Sequence, residues 1–272
     1  MLRTELLLRR LDDIGKSLER KGGVLLLLGV GSVGVETDRM DEYSDLDFFV
    51  IVEDGQKARY INHLDWLEDV HPLAYSFKNT DDGYKILFED GIYGEYAVFE
   101  ERDLEGAPYP EGRIVWKNPS YRNTGIAKSS IPIPSLRRDS LDFPLNEALT
   151  NLYVGLGRYA RGEHLSAMRF IQVHAVDRIL SVMHLLEEEV ECYPDPFGLE
   201  RRVEQRYPRF AERLGGMLQG YHDVPESALC ILNFIEEVYP ANPRLSAEIR
   251  QLIDKTCRDS SAESHILNEG KN

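Results

Sequence analysis

The chain has 272 residues, room for one large domain or two ordinary ones, and its 42% hydrophobic and 29% charged content excludes wholesale disorder. Acidic residues outnumber basic ones by 47 to 32, and a net charge of −15 works against binding a long phosphate backbone, so no nucleic-acid partner is expected. The same field suits a cationic small substrate or a bound metal, or serves solubility alone.

The first twenty residues, MLRTELLLRRLDDIGKSLER, interleave leucine with charge, the pattern of an amphipathic helix and not of a signal peptide. GGVLLLLGVGS reads as a strand ending in a glycine turn; its apolar run is strand-sized and far too short to cross a bilayer. Asp45–Val52 is the second strand, and Gln56 to Val70 carries Ile61, Leu64 and Leu67 at helical spacing. PLAYSFKNTDDGYKILFEDGIYGEYAVFE gives two or three short strands, the first pair joined at Asp82-Gly83 in a hairpin pattern, and GRIVWK adds another. From Asn118 to Pro144 the chain turns rich in Pro, Ser and Arg, a linker or a loop over a site. Helical spacing then dominates: Asn146–Arg161 and Leu165–Glu189 as long helices around a turn at Arg161-Gly162-Glu163, and shorter helices near Pro208–Tyr221, Pro225–Val238 and Pro243–Cys257.

These elements predict an α+β chain: a mixed sheet with flanking helices over 1–117, a linker over 118–143, a helical bundle over 144–257 and a flexible tail over 258–272. Cys192, Cys230 and Cys257 are odd in number and scattered, which suggests neither a disulfide framework nor a zinc site and predicts a cytoplasmic protein. Trp66 reads as a packing residue, and Tyr153, Tyr159 and Phe170 as core. His174, Asp177 and His184 share one predicted helix but not one face, so they read as packing or surface residues.

Two features carry chemistry. Asp45 and Asp47 open the second strand with only Leu46 between them, which puts both carboxylates on one face about 6–7 Å apart. Two such anions repel by about 3 kcal/mol at an effective dielectric of 20. Solvation, a proton shared into the pair, or a divalent cation between them would relieve it. The second feature is Gly29-Val30-Gly31-Ser32-Val33-Gly34, which matches the dinucleotide fingerprint, with Glu53 near the place of a ribose-binding acid. That fingerprint needs a helix straight after the last glycine. VETDRMDEYSDL offers only Val35, Met40, Tyr43 and Leu46, wrongly spaced for a buried face, so an NAD(P)-binding Rossmann oxidoreductase is the lesser alternative. A Walker A loop is excluded because no Gly-Lys-Ser/Thr follows.

An apolar strand, Gly31-Ser32, twelve residues and then Asp45-Leu46-Asp47 resembles the signature of the DNA polymerase β-like nucleotidyltransferase superfamily. YSDLDFFV, WLEDVHPLAYSFKN, ILFEDGIYGEYAVFEERDL and NLYVGLGRYARGEHLSAM extend the likeness to the lincosamide nucleotidyltransferases and the related aminoglycoside adenylyltransferases. The resemblance implies a nucleotidyltransferase domain followed by helices that help bind the acceptor. It implies that Gly31 and Ser32 hold the phosphates of an NTP co-substrate and that Asp45 and Asp47 hold one or two Mg²⁺ ions. A third carboxylate on a nearby antiparallel strand is also implied. Glu95 is the candidate, as metal ligand and general base, ahead of Glu89 and Asp90, which stand where a strand gives way to a turn.

The implied reaction moves a nucleoside monophosphate to a hydroxyl of a small molecule of the lincosamide or aminoglycoside type, releasing pyrophosphate. Antibiotic resistance is the implied role and a homodimer the assembly common in the group. The chain departs from these relatives in lacking a basic residue just after Ser32, so triphosphate contacts fall to Arg39, Lys78 or Arg137 and Arg138. The alternative on the same fold is a non-catalytic nucleotide-binding or toxin–antitoxin-like protein.

Overall fold

Helix α1 (Arg3–Lys21) buries Leu7, Leu11, Ile14 and Leu18, a stripe at three- and four-residue spacing that lies on a β-sheet with Leu27, Phe48 and Val50. The computed structural model describes residues 2–193 and 195–269, with side chains through 257, so of the tail expected from 258 only the backbone as far as 269 is described. The chain divides into two compact units, Met1–Ile133 and Pro134–Asn272. No helix among the described residues is long and apolar enough to cross a membrane.

The first unit is built on six strands: β1 (Val24–Val30), β2 (Leu46–Val52), β3 (Leu73–Lys78), β4 (Gly83–Phe88), β5 (Tyr93–Glu100) and β6 (Arg113–Lys117). Their order is β3-β4-β5-β2-β1-β6. Only β2 and β5 run parallel; every other neighbouring pair is antiparallel, so the sheet is mixed, as expected. Strand β2 is buried at alternate positions, Leu46, Phe48 and Val50, and its last residues are buried on both faces. Helix α1 covers one face, and Leu26, Leu28 and Ile51 lie on the other with Leu104 of the short helix α4 (Glu101–Leu104), Tyr121 and Ile126.

Two expectations are corrected here. The segment after the glycines forms short 3₁₀ turns, Gly31–Val33 and Thr37–Arg39, and β1 pairs antiparallel with β2, so there is no Rossmann βαβ unit and the oxidoreductase alternative falls. The single helix expected over Gln56 to Val70 is two: α2 (Lys57–Asn62) and α3 (Asp65–Glu68), with His63 extended between them. The break lets Trp66 turn inward, where it is fully buried with its edge or face against Phe48, Tyr60 and Tyr96 and its indole N–H donating to the Tyr60 carbonyl at 3.2 Å.

The second unit is helical. Its α5 (Asp142–Tyr159) buries Leu145, Leu149, Leu152 and Leu156. Tyr153 lies one residue off that stripe and is exposed, and Phe170 is only half-buried, so neither is the core residue expected; Tyr159 is half-buried and packs against the core. A Schellman turn ends α5: the N–H of Gly162, at φ +80°, bonds Tyr159 O and that of Glu163 bonds Arg158 O. The long helix expected over Leu165–Glu189 is interrupted. It runs as α6 (His164–Met168), a π-helical segment Arg169–Ala175, α7 (Val176–Leu180) and α8 (Met183–Leu186). Helices α9 (Val203–Arg206), α10 (Pro208–Met217), α11 (Val224–Val238) and α12 (Pro243–Glu269) complete the unit around Ile171, Ile179, Ile231, Ile235 and Ile249.

Candidate active site

Each glycine of the Gly29-to-Gly34 motif has a steric reason to be there. The chain leaves β1 and doubles back on it: a Cβ on Gly29 would stand 2.5 Å from Val33 O, and one on Gly34 would stand 2.7 Å from the Val30 Cα. Gly31 turns the chain with φ +59°. From β6, Arg113 donates through Nε and Nη2 to Val33 O, at 3.2 and 3.0 Å, and ties the turn to the sheet. Ser32 is buried within it.

The turn lies at the end of the sheet where the acids stand. Asp47 is the cross-strand partner of Val30 on β1 and of Glu95 on β5. Partnered residues share a face, and the strands are about 4.8 Å apart, so Asp47 and Glu95 are side by side although 48 positions separate them in the chain. Asp45 precedes β2 by one residue, half-buried, and makes no hydrogen bond or ion pair among the described residues. A Cβ on Gly31 would lie 3.4 Å from Asp47 Oδ2 and 3.5 Å from Arg39 Nη2. The carboxylate and the guanidinium therefore converge on the backbone of the turn, with Arg39 also ion-paired to Glu36.

Glu95 is bracketed from its other side. Asn79 donates through Nδ2 to Oε1 at 2.7 Å, and Lys85, its cross-strand partner on β4, brings Nζ to 3.5 Å from Oε2. Strand β5 is antiparallel to β4, as a hairpin requires, but parallel to the strand that carries the aspartates. The rival acids stand in the turn after β4, where Asp90 is tied to Arg10 at 2.6 Å. Burial pushes the Asp90 carboxyl up, but the hydrogen bond and charge of Arg10 together with the Ile92 N–H outweigh it, leaving a net lowering.

Of the basic residues expected to meet a triphosphate, Arg39 is at the turn. Lys78 is exposed on the edge strand β3, and Arg137 is engaged in the helical unit by Glu189 at 2.8 Å. Sequence reasoning missed Arg113, Asn79 and Lys85; nothing in their local pattern signals a site, because strand pairing brings Arg113 and Lys85 there and the turn after β3 brings Asn79.

No group of three or more His, Cys, Asp or Glu among the described residues is arranged to hold a metal ion. The donor set at this end of the sheet is nonetheless all carboxylate oxygen, the hard chemistry that suits Mg²⁺, which takes one or two protein carboxylates and fills its octahedron with water and phosphate oxygens.

No family model matches the chain, and no curated protein does. Among solved structures, an aminoglycoside 6-adenyltransferase from Bacillus subtilis is similar at 15% identity and a TM-score of 0.35, over 90% of this chain and 97% of that one. A likeness that loose carries no argument, and the functional reading rests on the residues themselves.

Proposed function

We propose that the chain is a nucleotidyltransferase that moves a nucleoside monophosphate from an NTP to the hydroxyl of a small molecule. The observation that carries this reading is the register that sets Asp47 beside Glu95, next to a glycine turn that also receives Arg39. Asp45, Asp47 and Glu95 are the residues that would hold Mg²⁺, which supplies neutralisation of the triphosphate charge.

The chain's own groups account for the rest. Glu95 takes the proton of the acceptor hydroxyl, whose oxygen attacks the α-phosphorus. The bond from that phosphorus to the bridging oxygen breaks, and pyrophosphate leaves. The backbone of Gly31 and Ser32 lies against the phosphates, with Arg39 as the nearby cation. Asn79 and Lys85 fix the orientation of the Glu95 carboxylate. The net charge of −15 favours a cationic acceptor of the aminoglycoside or lincosamide kind. Antibiotic resistance, a cytoplasmic location and a homodimer complete the reading.

The test is Mg²⁺-dependent pyrophosphate release with each NTP against a panel of aminoglycosides and lincosamides. Acceptor-dependent release that falls about 100-fold or more in Asp47→Asn is the expected result. If no acceptor gives release while Mg·NTP still binds, and binds less well to Asp47→Asn, transfer is wrong and a non-catalytic nucleotide-binding protein takes its place.

A further inference from the structure

The helical unit contains a recess of about 460 Å³ walled by Glu163, His164, Leu165, Arg169 and Tyr221. That volume lies within the usual range for small-molecule sites. Its wall is aromatic and layered: the His164 ring lies flat on Tyr159, centroids 4.3 Å apart at 11°, and Tyr221 tilts against it at 5.9 Å. The exposed faces of Tyr221 and Leu165 complete an apolar shelf.

Two features hold this shelf in place. The π-helical segment begins at Arg169, and such segments are rare and concentrate at functional sites because they widen the helix at a cost. Gln172, in the middle of it and 8% exposed, grips the loop that carries Tyr221. Its Nε2 donates to Gly220 O at 2.6 Å and to Ser227 Oγ at 3.1 Å, and its Oε1 accepts from Gly220 N at 3.1 Å. A buried amide satisfied at both ends fixes a ring that is otherwise at the surface.

On an acidic chain, the lining also carries an arginine that is not neutralised by an ion pair. Arg169 has no hydrogen bond or ion pair among the described residues, and the ring nitrogens of His164 and the hydroxyl of Tyr221 likewise have no hydrogen-bond partner there. Glu163, the acid of the lining, is taken by Arg161 at 3.1 Å, and Arg158 lies over Phe170 and donates to Ser166. Unsatisfied donors around a flat apolar shelf fit one kind of ligand.

We propose that this recess binds a small planar anion, an aromatic ring bearing a phosphate or carboxylate, with the ring on Tyr221 and Leu165 and the charge at Arg169 and His164. The site is built wholly from residues of the helical unit and does not depend on nucleotidyl transfer. The probe is 4-methylumbelliferyl phosphate, titrated calorimetrically into the full chain, with neutral 7-methoxy-4-methylcoumarin as control. Saturable one-to-one binding is expected for the phosphate. Arg169→Gln should weaken it about tenfold or more and Tyr221→Ala about fivefold or more, whereas Asp47→Asn leaves it unchanged. Both substituted side chains are exposed, so the variants keep the fold, which circular dichroism checks. The proposal fails if the phosphate does not bind saturably, if the neutral coumarin binds as well, if both recess variants bind like the parent, or if Asp47→Asn abolishes binding.

Discussion

The two units place their polar groups by different means. At the sheet end, the hydrogen-bond ladder does it: once β2 and β5 pair in register, Asp47 and Glu95 must be neighbours whatever their side chains prefer. In the helical unit no ladder crosses between helices, and the recess depends on side-chain packing, on one buried glutamine and on a local widening of the helix. A site set by backbone register is robust to side-chain change and fragile to backbone change. A site set by packing is the reverse.

Gly29→Ala is the sharpest probe of the first half of that contrast. The new Cβ would stand 2.5 Å from Val33 O, a backbone atom that no rotamer change can move away and that Arg113 holds in place. A loss of about 3 kcal/mol in denaturant titration is expected, together with loss of Mg·NTP binding, because the turn beside Asp47 must shift. A stable variant with intact binding would show that the turn yields and that register does not fix the site.

Its counterpart in the helical unit is Arg206→Met. The Arg206 guanidinium is 2% exposed and donates to Glu189 at 2.7 Å and to the carbonyls of Leu199 and Arg201. Breaking a buried pair from one side costs roughly 3–5 kcal/mol, and Arg137, still beside Glu189, should hold the loss to the lower end. The pair also predicts a pH dependence. Burial pushes the Glu189 carboxyl up from its ordinary 4.5, but the hydrogen bond from Arg206 and the charges of Arg206 and Arg137 bring it down overall. A folded value below the unfolded one stabilises fully above the unfolded value and is lost as pH falls through the folded one. Stability of the parent should therefore drop, as pH falls below the ordinary 4.5, more steeply than that of Arg206→Met; equal slopes would mean that the pair does not titrate with folding.

This contrast also explains what could be read from the sequence. The mixed sheet, the hairpins and the helical second half follow from periodicity, and Asp45, Asp47, Gly31 and Ser32 announce themselves because their spacing is local. Glu95 was reachable as an acid amid an apolar strand. Arg113, Asn79 and Lys85 were not: Arg113 reaches the turn only because β6 pairs with β1, and Lys85 and Asn79 reach Glu95 only through the register of the β4-β5 hairpin and the turn that precedes it. The helical unit misled in the expected way. A helical repeat continues through Arg169–Ala175 whether hydrogen bonds run to the fourth or the fifth residue, so the π segment leaves no mark in the pattern. Tyr153 reads as core because aromatics at helical spacing usually are, but the buried stripe of α5 runs through Leu152 and Leu156 instead.

The smallest expected effects test how firmly that π segment is packed. Gly155 and Gly157 both lie in α5, so alanine at either gains about the same helix propensity, up to about 1 kcal/mol. Nothing stands within 4 Å of a Cβ at Gly157, and Gly157→Ala should stabilise by most of that amount. At Gly155 the Cβ would meet Ile171 Cγ1 at 2.7 Å and Phe170 Cβ at 3.2 Å, both on the π segment. Overpacking of this kind costs about 1–3 kcal/mol, so Gly155→Ala should be neutral to destabilising. Taking the difference between the two variants cancels the propensity and leaves the cost of pushing on Ile171. A difference of about 1 kcal/mol or more means a rigid segment, able to hold Gln172 and the Tyr221 loop in one arrangement. Two equally stabilising alanines would mean that the segment gives way, and the recess it supports would have no fixed shape.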